Sequence, residues 1–408
     1  MHPSTRLIIW LSLLLGFTSM VYFLSLPAHL PVIVTCVIVV AYAFISYRWF
    51  ARHIPSPVGL QSTTGESARA YMILVAGLAV IVYKAYNIEK QYGHWDAWWL
   101  WDHHARYLQD STYWRQLFTL NDEYHPDYPL FLSSLIAFFW RLTGTFNSLV
   151  PYTFSIFIAV VIPATIFISL HTRNLTIACF AFVVFAFSDA YHTFALAQYA
   201  DQPLGFLYLC AFICLEYARQ QKHLITVIGG LLGCCIWMKN EGMLLSLIFI
   251  LFNARTLLAN GNATRFAAGI IFPLSVYAYL KLNAPANDLV KGQSMKTLRL
   301  LTDGSRYRLI GSYFYTRLTD HALPATICAV FYGVYCYAAR RLPGRNILTL
   351  IICAIGFALV YLLTPHDLSW HLNTSFDRVL FQLMPAFVYV IARNLCNLRF
   401  YTEGGQFQ

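Results

Sequence analysis

Thirteen apolar runs make up most of this chain: 7–26, 28–47, 70–88, 129–143, 149–170, 175–188, 203–218, 224–238, 243–258, 266–282, 322–339, 347–364 and 379–395. A helix needs roughly 20 apolar residues to cross a bilayer. The pattern therefore predicts an all-α, polytopic transmembrane bundle of about 12–13 spans. Composition agrees. Of the 408 residues, 58% are hydrophobic and 11% charged, against about 25% charged in a soluble domain. The net charge of +10 does not point to nucleic acid, because the basic residues are scattered among short loops. The lipid bilayer is the partner this composition requires.

Other features are quieter. The ten Cys lie mostly inside apolar runs (Cys36, Cys179, Cys210, Cys353), and Cys234-Cys235 is a vicinal pair rather than C-x-x-C. They read as small packing residues, not metal ligands. Leu7–Leu26 lacks a small-residue cleavage site and reads as a first anchor. The Pro/Ser/Gly-rich piece Ile54–Ser67 sets two leading helices apart. The expected divisions are 1–69, a central module 70–282, and 283–408 with a basic loop and the last helices.

Loop charge orients the chain. Arg48, Arg52 and Arg69, then Arg219 and Lys222, Arg255 and Arg265, Arg340, Arg341 and Arg345, and the tail Arg393 and Arg399 sit in loops nearly free of acid. Such loops belong in the cytoplasm. Loops 89–128, 188–202, 239–242, 283–321 and 364–378 lie between them and hold 15 of the 18 acidic residues. They are expected on the periplasmic side of a cell inner membrane. Three apolar runs separate the first two of these loops, so one of the three is not a full crossing; the 15-residue run 129–143, with Arg141 near its end, is expected to be short or tilted into a cavity.

The most polar interruption is Tyr92–Pro129. Seven acids fall between Glu89 and Asp127, with only Lys90, Arg106 and Arg115 against them, and five Trp and four His sit among them. Asp96 lies just past the run 70–88, where a carboxylate facing lipid would be costly. It is expected to face a cavity, with His94, Trp98 and Asp102 around it. An aromatic belt at headgroup depth is the plainer reading of the Trp cluster. In His125-Pro126-Asp127-Tyr128-Pro129 the prolines force His125 and Tyr128 toward extended conformations and stiffen the chain around Asp127.

Further along, Gln198-Tyr199-Ala200-Asp201-Gln202-Pro203 and Lys239-Asn240-Glu241-Gly242 place charges between apolar runs. Loop 283–321 carries Lys291, Lys296, Arg299, Arg306, Arg308 and Arg317 against three acids. A basic loop on the acidic face invites an anionic headgroup or a phosphate. Pro365–Leu372 holds His366 and His371, with no third ligand spaced for a metal, and Arg378 follows at the start of the last helix. Acids for base chemistry, cations for a phosphate leaving group and aromatics for a sugar ring point together to glycosyl transfer from a lipid phosphate.

In these motifs the chain resembles the GT-C superfamily of integral-membrane glycosyltransferases. Within it, the likeness is to bacterial lipopolysaccharide-core transferases of the Rgt type, aminoarabinose transferases and protein O-mannosyltransferases. Trp95-Asp96-Ala97-Trp98 matches the first periplasmic loop, and His125–Pro129 its end. Ala200-Asp201-Gln202-Pro203 resembles the later acidic motif, and Lys239-Asn240-Glu241-Gly242 the T-K-G site that meets the donor phosphate. The resemblance covers about residues 70–260. It implies an inverting transfer from a polyprenyl-phosphate sugar and two interfacial helices within 97–120, with Asp96 expected as general base and Asp127 as second acid or acceptor-orienting group. The paired acids common in that first loop are missing, since Ala97-Trp98 follow Asp96; a divalent metal is left without support, and no other cofactor is called for. The rival readings are a transporter or flippase for an anionic lipid or solute, a non-catalytic assembly protein, and a polymerase or ligase of lipid-linked glycans.

Overall fold

A computed structural model describes residues 1–55, 64–87, 91–287, 291, 293, 297–320, 323–338, 340 and 342–396. Glu89, Lys90, Asp288, Lys296, Arg341, Arg399 and residues 56–63 of the linker lie outside them. The fold is all-helical, 80% helix, with no strand among the described residues. The helices are α1 (Pro3–Ser25), α2 (Val32–His53), α3 (Thr64–Asn87), α4 (Asp102–Tyr107), α5 (Phe131–Thr143), α6 (Leu149–Leu170), α7 (Leu175–Ala186), α8 (Asp189–Ala195) and α9 (Asp201–Tyr217). They continue as α10 (Leu224–Met238), α11 (Asn240–Leu258), α12 (Asn262–Asn283), α13 (Gly304–Asp320), α14 (Leu323–Ala338), α15 (Arg345–Leu362), α16 (Leu368–Phe381) and α17 (Met384–Leu395).

Among the described residues eight helices are long and apolar enough to cross a membrane, or nine if the bent pair α7 and α8 forms one span. This is a multi-pass membrane protein, with fewer spans than the 12–13 the apolar runs predict. The reason is burial. Runs 129–143, 203–218 and 224–238 become α5, α9 and α10, of 13, 17 and 15 residues. At 1.5 Å per residue these reach only about 20–26 Å, short of the roughly 30 Å hydrocarbon core. Nearly all of α9 and α10 is enclosed by protein. A helix buried in protein and one facing lipid are equally apolar, so the runs look alike in sequence. α2 is the contrast: Ile33, Val37, Val40, Phe44 and Ile45 are all exposed, as a lipid-facing helix requires.

Of the three runs between the first two acidic loops, only α6 has full length. α5 is short, and α7 ends at Ala186; Ser188 Oγ then accepts from Tyr191 N (3.1 Å) to start α8 at a 67° bend.

Polar residues tie the first loop to this core. Within 97–120 the chain forms a π-helical turn (Ala97–Trp101), α4 and a 3₁₀ turn (Trp114–Thr119), rather than two interfacial helices. Trp101, Leu108, Trp114 and Leu117 are buried. Ser133 Oγ donates to Trp101 O (2.9 Å), and Tyr22 OH of α1 donates to Leu108 O (2.7 Å). Ser19 of α1 bonds both Phe131 O (2.8 Å) and Trp237 Nε1 (2.9 Å). The leading helix is thus packed into the same core as the 70–282 segment.

The closest helix pairing is α10 on α12, and small residues permit it. A Cβ at Gly229 would fall 2.5 Å from Phe266 O, and one at Gly269 would fall 2.0 Å from Thr226 O. Without a solvophobic force between helices in lipid, such close backbone approach supplies the packing. Gly269→Ala is expected to push the pair apart and destabilise the purified protein by about 1–3 kcal/mol, read as a lowered melting temperature. Gly311→Ala, with nothing within 4 Å of its added carbon, is the control that leaves the melting temperature level or higher.

Candidate active site

Charges from four separate segments meet at one end of the bundle. Asp96, at the start of the π-helical turn, is ion-paired with Arg378 of α16. Asp201 opens α9 and is buried, where Lys239 Nζ reaches it at 2.9 Å and Gln382 Nε2 also donates to it. Lys239 sits in extended backbone between α10 and α11, and its ammonium lies 3.0 Å from Glu241 Oε1 as well. Asp201 and Tyr128 act on the Arg378 guanidinium through space, and the Arg378 guanidinium stands 5.1 Å over the Tyr199 ring. His94 meets the same ring edge-on at 6.0 Å.

Local sequence explains why these groups converge. Asp201 is the first residue of its helix, where a carboxylate complements the helix dipole. The break at Lys239 lets two apolar helices turn without burying an unpaired charge. A buried ion is tolerable only when it is paired and hydrogen-bonded, and here two sets meet that need: Asp96 with Arg378, and Lys239 with Asp201 and Glu241, with Gln382, one turn beyond Arg378, bonded to Asp201. Within these five side chains two buried atoms have no partner among the described residues: Arg378 Nε and Glu241 Oε2. They are where a bound group would find a donor and an acceptor. The side chains of Asp96, Arg378 and Glu241 keep 26%, 18% and 25% of their surface exposed, so the cluster is open at both of its flanks and closed between them at Lys239 and Asp201.

Asp102 stands apart from this cluster, on the first turn of α4. It is 9% exposed and its Oδ1 has no partner among the described residues. Burial pushes its carboxyl up to about 7, against an opposing pull from Arg106. That is the range a general acid or base wants near neutral pH. His104 is fully buried, and burial drives its imidazole down to about 3. Its Nε2 faces Tyr124 O at 2.6 Å; a carbonyl only accepts, so Nε2 carries the proton. Around them runs a ladder of stacked rings: Trp95 on Trp99 (5.2 Å), Trp99 on Tyr124 (4.7 Å) and Tyr124 on His103 (4.8 Å). Trp98 is edge-on to Trp95 at 4.6 Å, and both are exposed.

The remaining predicted residues fall into two further places. Asp127 is 3% exposed and accepts from the side-chain amides of Asn240 and Asn287. His125 has a left-handed backbone (φ 44°) and stacks on Tyr128 at 4.6 Å. The extended conformation expected of a residue before proline is therefore not adopted at His125, where the end of the Asp122–Tyr124 turn takes the chain the other way. Arg306 spends its guanidinium on the carbonyls of Tyr361 (3.1 Å), Leu362 (3.0 Å) and Thr364 (3.3 Å), capping α15. Arg308 is exposed. Arg306, His366 and Asp303 border an open cleft of about 460 Å³. His371 Nδ1 pairs with Thr364 Oγ1 at 2.9 Å. Among the described residues no group of His, Cys, Asp and Glu is arranged to hold a metal.

Several contributors escape a reading of the sequence. Gln382, Lys281 and Tyr199 matter only through what they touch. A lone Lys281 at the end of an apolar run and a lone Gln382 near the start of another were the available signals. No family model, curated protein or solved structure matches the chain. The class that fold and site define is a multi-pass membrane protein with a buried set of paired charges at one end.

Asp102 offers a pH test. A carboxyl raised above its unfolded value is neutral in both states below pH 4, so it costs nothing there. Between pH 4 and 7 the unfolded chain ionises first and folding loses stability; above 7 the full penalty stands. Asp102→Asn is therefore expected to be more stable than wild type at pH 8 by about 2–4 kcal/mol, with the advantage vanishing toward pH 4. Melting temperatures across that range check it; an advantage independent of pH would show that the carboxyl is not the cause.

Proposed function

We propose that the chain is a GT-C-type glycosyltransferase of the cell inner membrane. It moves a sugar, with inversion, from a polyprenyl-phosphate donor to an acceptor lipid, glycan or protein on the periplasmic face, in the service of cell-envelope biogenesis. The observation that carries the reading is the convergence of Asp96, Asp201, Lys239, Glu241 and Arg378 from the first loop, α9, the α10–α11 break and α16.

In this reading Asp96 takes the proton of the acceptor hydroxyl. The acceptor oxygen bonds the anomeric carbon as the bond from that carbon to the phosphate oxygen breaks. The electron pair leaves with the phosphate, whose charge faces Arg378 and Lys239; preorganised cations at a developing anion are the strongest form of such stabilisation. Trp95 and Trp98 offer ring faces to a sugar. Asp102, with a free oxygen and a carboxyl near neutrality, is the other group able to accept the proton.

The second reading, a transporter or flippase for an anionic lipid or solute, is favoured by one feature: Asp201, Lys239 and Arg378 sit where helices start or break inside the protein. Buried charges at interrupted helices are the usual setting of a translocation site.

Radiolabelled undecaprenyl-phosphate sugars, presented with membranes carrying wild type, Asp96→Asn or Asp102→Asn, separate the possibilities. Transfer by wild type and a loss of about a hundredfold or more in Asp96→Asn is expected. Full activity in Asp96→Asn with loss in Asp102→Asn moves the base to Asp102. No transfer by wild type, with uptake of lipid or solute instead, favours the transporter.

A further inference from the structure

Asp127 lies at the meeting point of four stretches of chain. Asn240 Nδ2 and Asn287 Nδ2 both donate to its Oδ2, at 2.9 and 2.7 Å. Lys281 Nζ donates to its main-chain oxygen at 2.6 Å and to Asn240 Oδ1 at 3.2 Å, and stands 3.7 Å from Asp127 Oδ2. The carboxylate is 3% exposed. A group so enclosed by protein donors has little room for a substrate, yet the residues it holds border the charged site on two sides. Asn240 separates Lys239 from Glu241, and Tyr128 follows Asp127 directly and acts on Arg378.

We infer that Asp127 is a positioning residue: through Asn240 it fixes the chain at the α10–α11 break so that Lys239 points at Asp201 and Glu241. The inference rests on the glycosyl-transfer reading only for its kinetic consequence. The backbone at Lys239 is extended (φ −161°, ψ 155°) and is held at each side by one bond, from its N–H to Cys235 O (3.4 Å) and from Gly242 N to its carbonyl (2.9 Å). Behind the break the chain is closely packed, since a Cβ at Gly242 would fall 1.8 Å from Cys235 O. The side chain of Asn240 adds a tie from outside the two helices, since Asp127 and Lys281 grip both ends of its amide. Its NH₂ donates to a carboxylate and its oxygen accepts from an ammonium, so the amide has one orientation that satisfies both. Displacing a charged group by about 1 Å is enough to cost about a hundredfold in rate, and Lys239 reaches Asp201 and Glu241 from one short side-chain excursion.

The test compares wild type, Asp127→Asn, Lys239→Met, the double variant of these two, and the exchanged pair Asp127→Asn with Asn240→Asp. Asp127→Asn removes the negative charge beside Lys281 while its amide oxygen can still accept from Asn240 and Asn287, whereas the exchanged pair returns a carboxylate to the cluster as an acceptor for Lys281. With radiolabelled undecaprenyl-phosphate sugar as donor, Asp127→Asn is expected to raise the donor KM by about tenfold or more, and the exchanged pair to recover most of it. A lowered melting temperature with donor KM unchanged, or an exchanged pair as defective as the single variant, would overturn the inference. A second readout needs no turnover. Asp127 and Lys239 do not touch, so their effects on stability add if Asp127 only staples the loop. The inference predicts non-additive melting temperatures. If wild type shows no transfer, the glycosyltransferase reading fails, and this cycle alone decides: additivity overturns the positioning role and coupling upholds it.

Discussion

The pairing of Arg378 with Asp96, and through space with Asp201, is what the rest of this arrangement depends on. Asp96 belongs to a loop, Asp201 to the first turn of α9, and Arg378 to the last long span. One guanidinium therefore closes the first loop onto two helices. Its removal would leave carboxylates beneath a folded loop without a counter-charge. Breaking a buried pair from one side costs about 3–5 kcal/mol, far more than the net worth of the pair itself. The charges here define a geometry more than they add stability.

The same helices are tied at their other end. Glu216, one helix length from Asp201 on α9, receives Arg173 at 2.5 Å, Tyr389 OH at 2.6 Å, and Arg393. Asp201 and Glu216 are 15 residues apart, as are Arg378 and Arg393, a rise of about 22 Å along a helix. Between the ties, Gln202 Nε2 donates to Phe381 O (3.3 Å) where α16 ends before α17. The carbonyl freed by that break thus has its partner, as apolar surroundings demand. α9 and the α16–α17 pair form a post against which the loop residues are held.

Much of this was legible in the sequence, for a physical reason. A charge close beside an apolar run is conspicuous because burying it is costly, which makes Asp96, Asp201, Lys239, Glu241 and Arg378 legible in the sequence. The pairing among them was not legible, because it joins positions up to 282 apart in sequence. Asp127 stood out equally, but its rigid Pro-flanked setting reads the same whether the carboxylate faces a substrate or three protein donors. Arg306 was conspicuous as a cation on an acidic face; only the structure reveals that its partners are the end carbonyls of α15. Apolar runs alone do not distinguish a helix that faces lipid from one enclosed by protein, as at α9 and α10.

The central claim is that Asp96 and Arg378 hold each other, and it is tested most directly by a double-mutant cycle. Melting free energies of wild type, Asp96→Asn, Arg378→Gln and the double variant are compared in detergent. The account predicts a coupling of about 1–3 kcal/mol, with the double variant less damaged than the sum of the singles. Effects that add to within about 0.5 kcal/mol would contradict it.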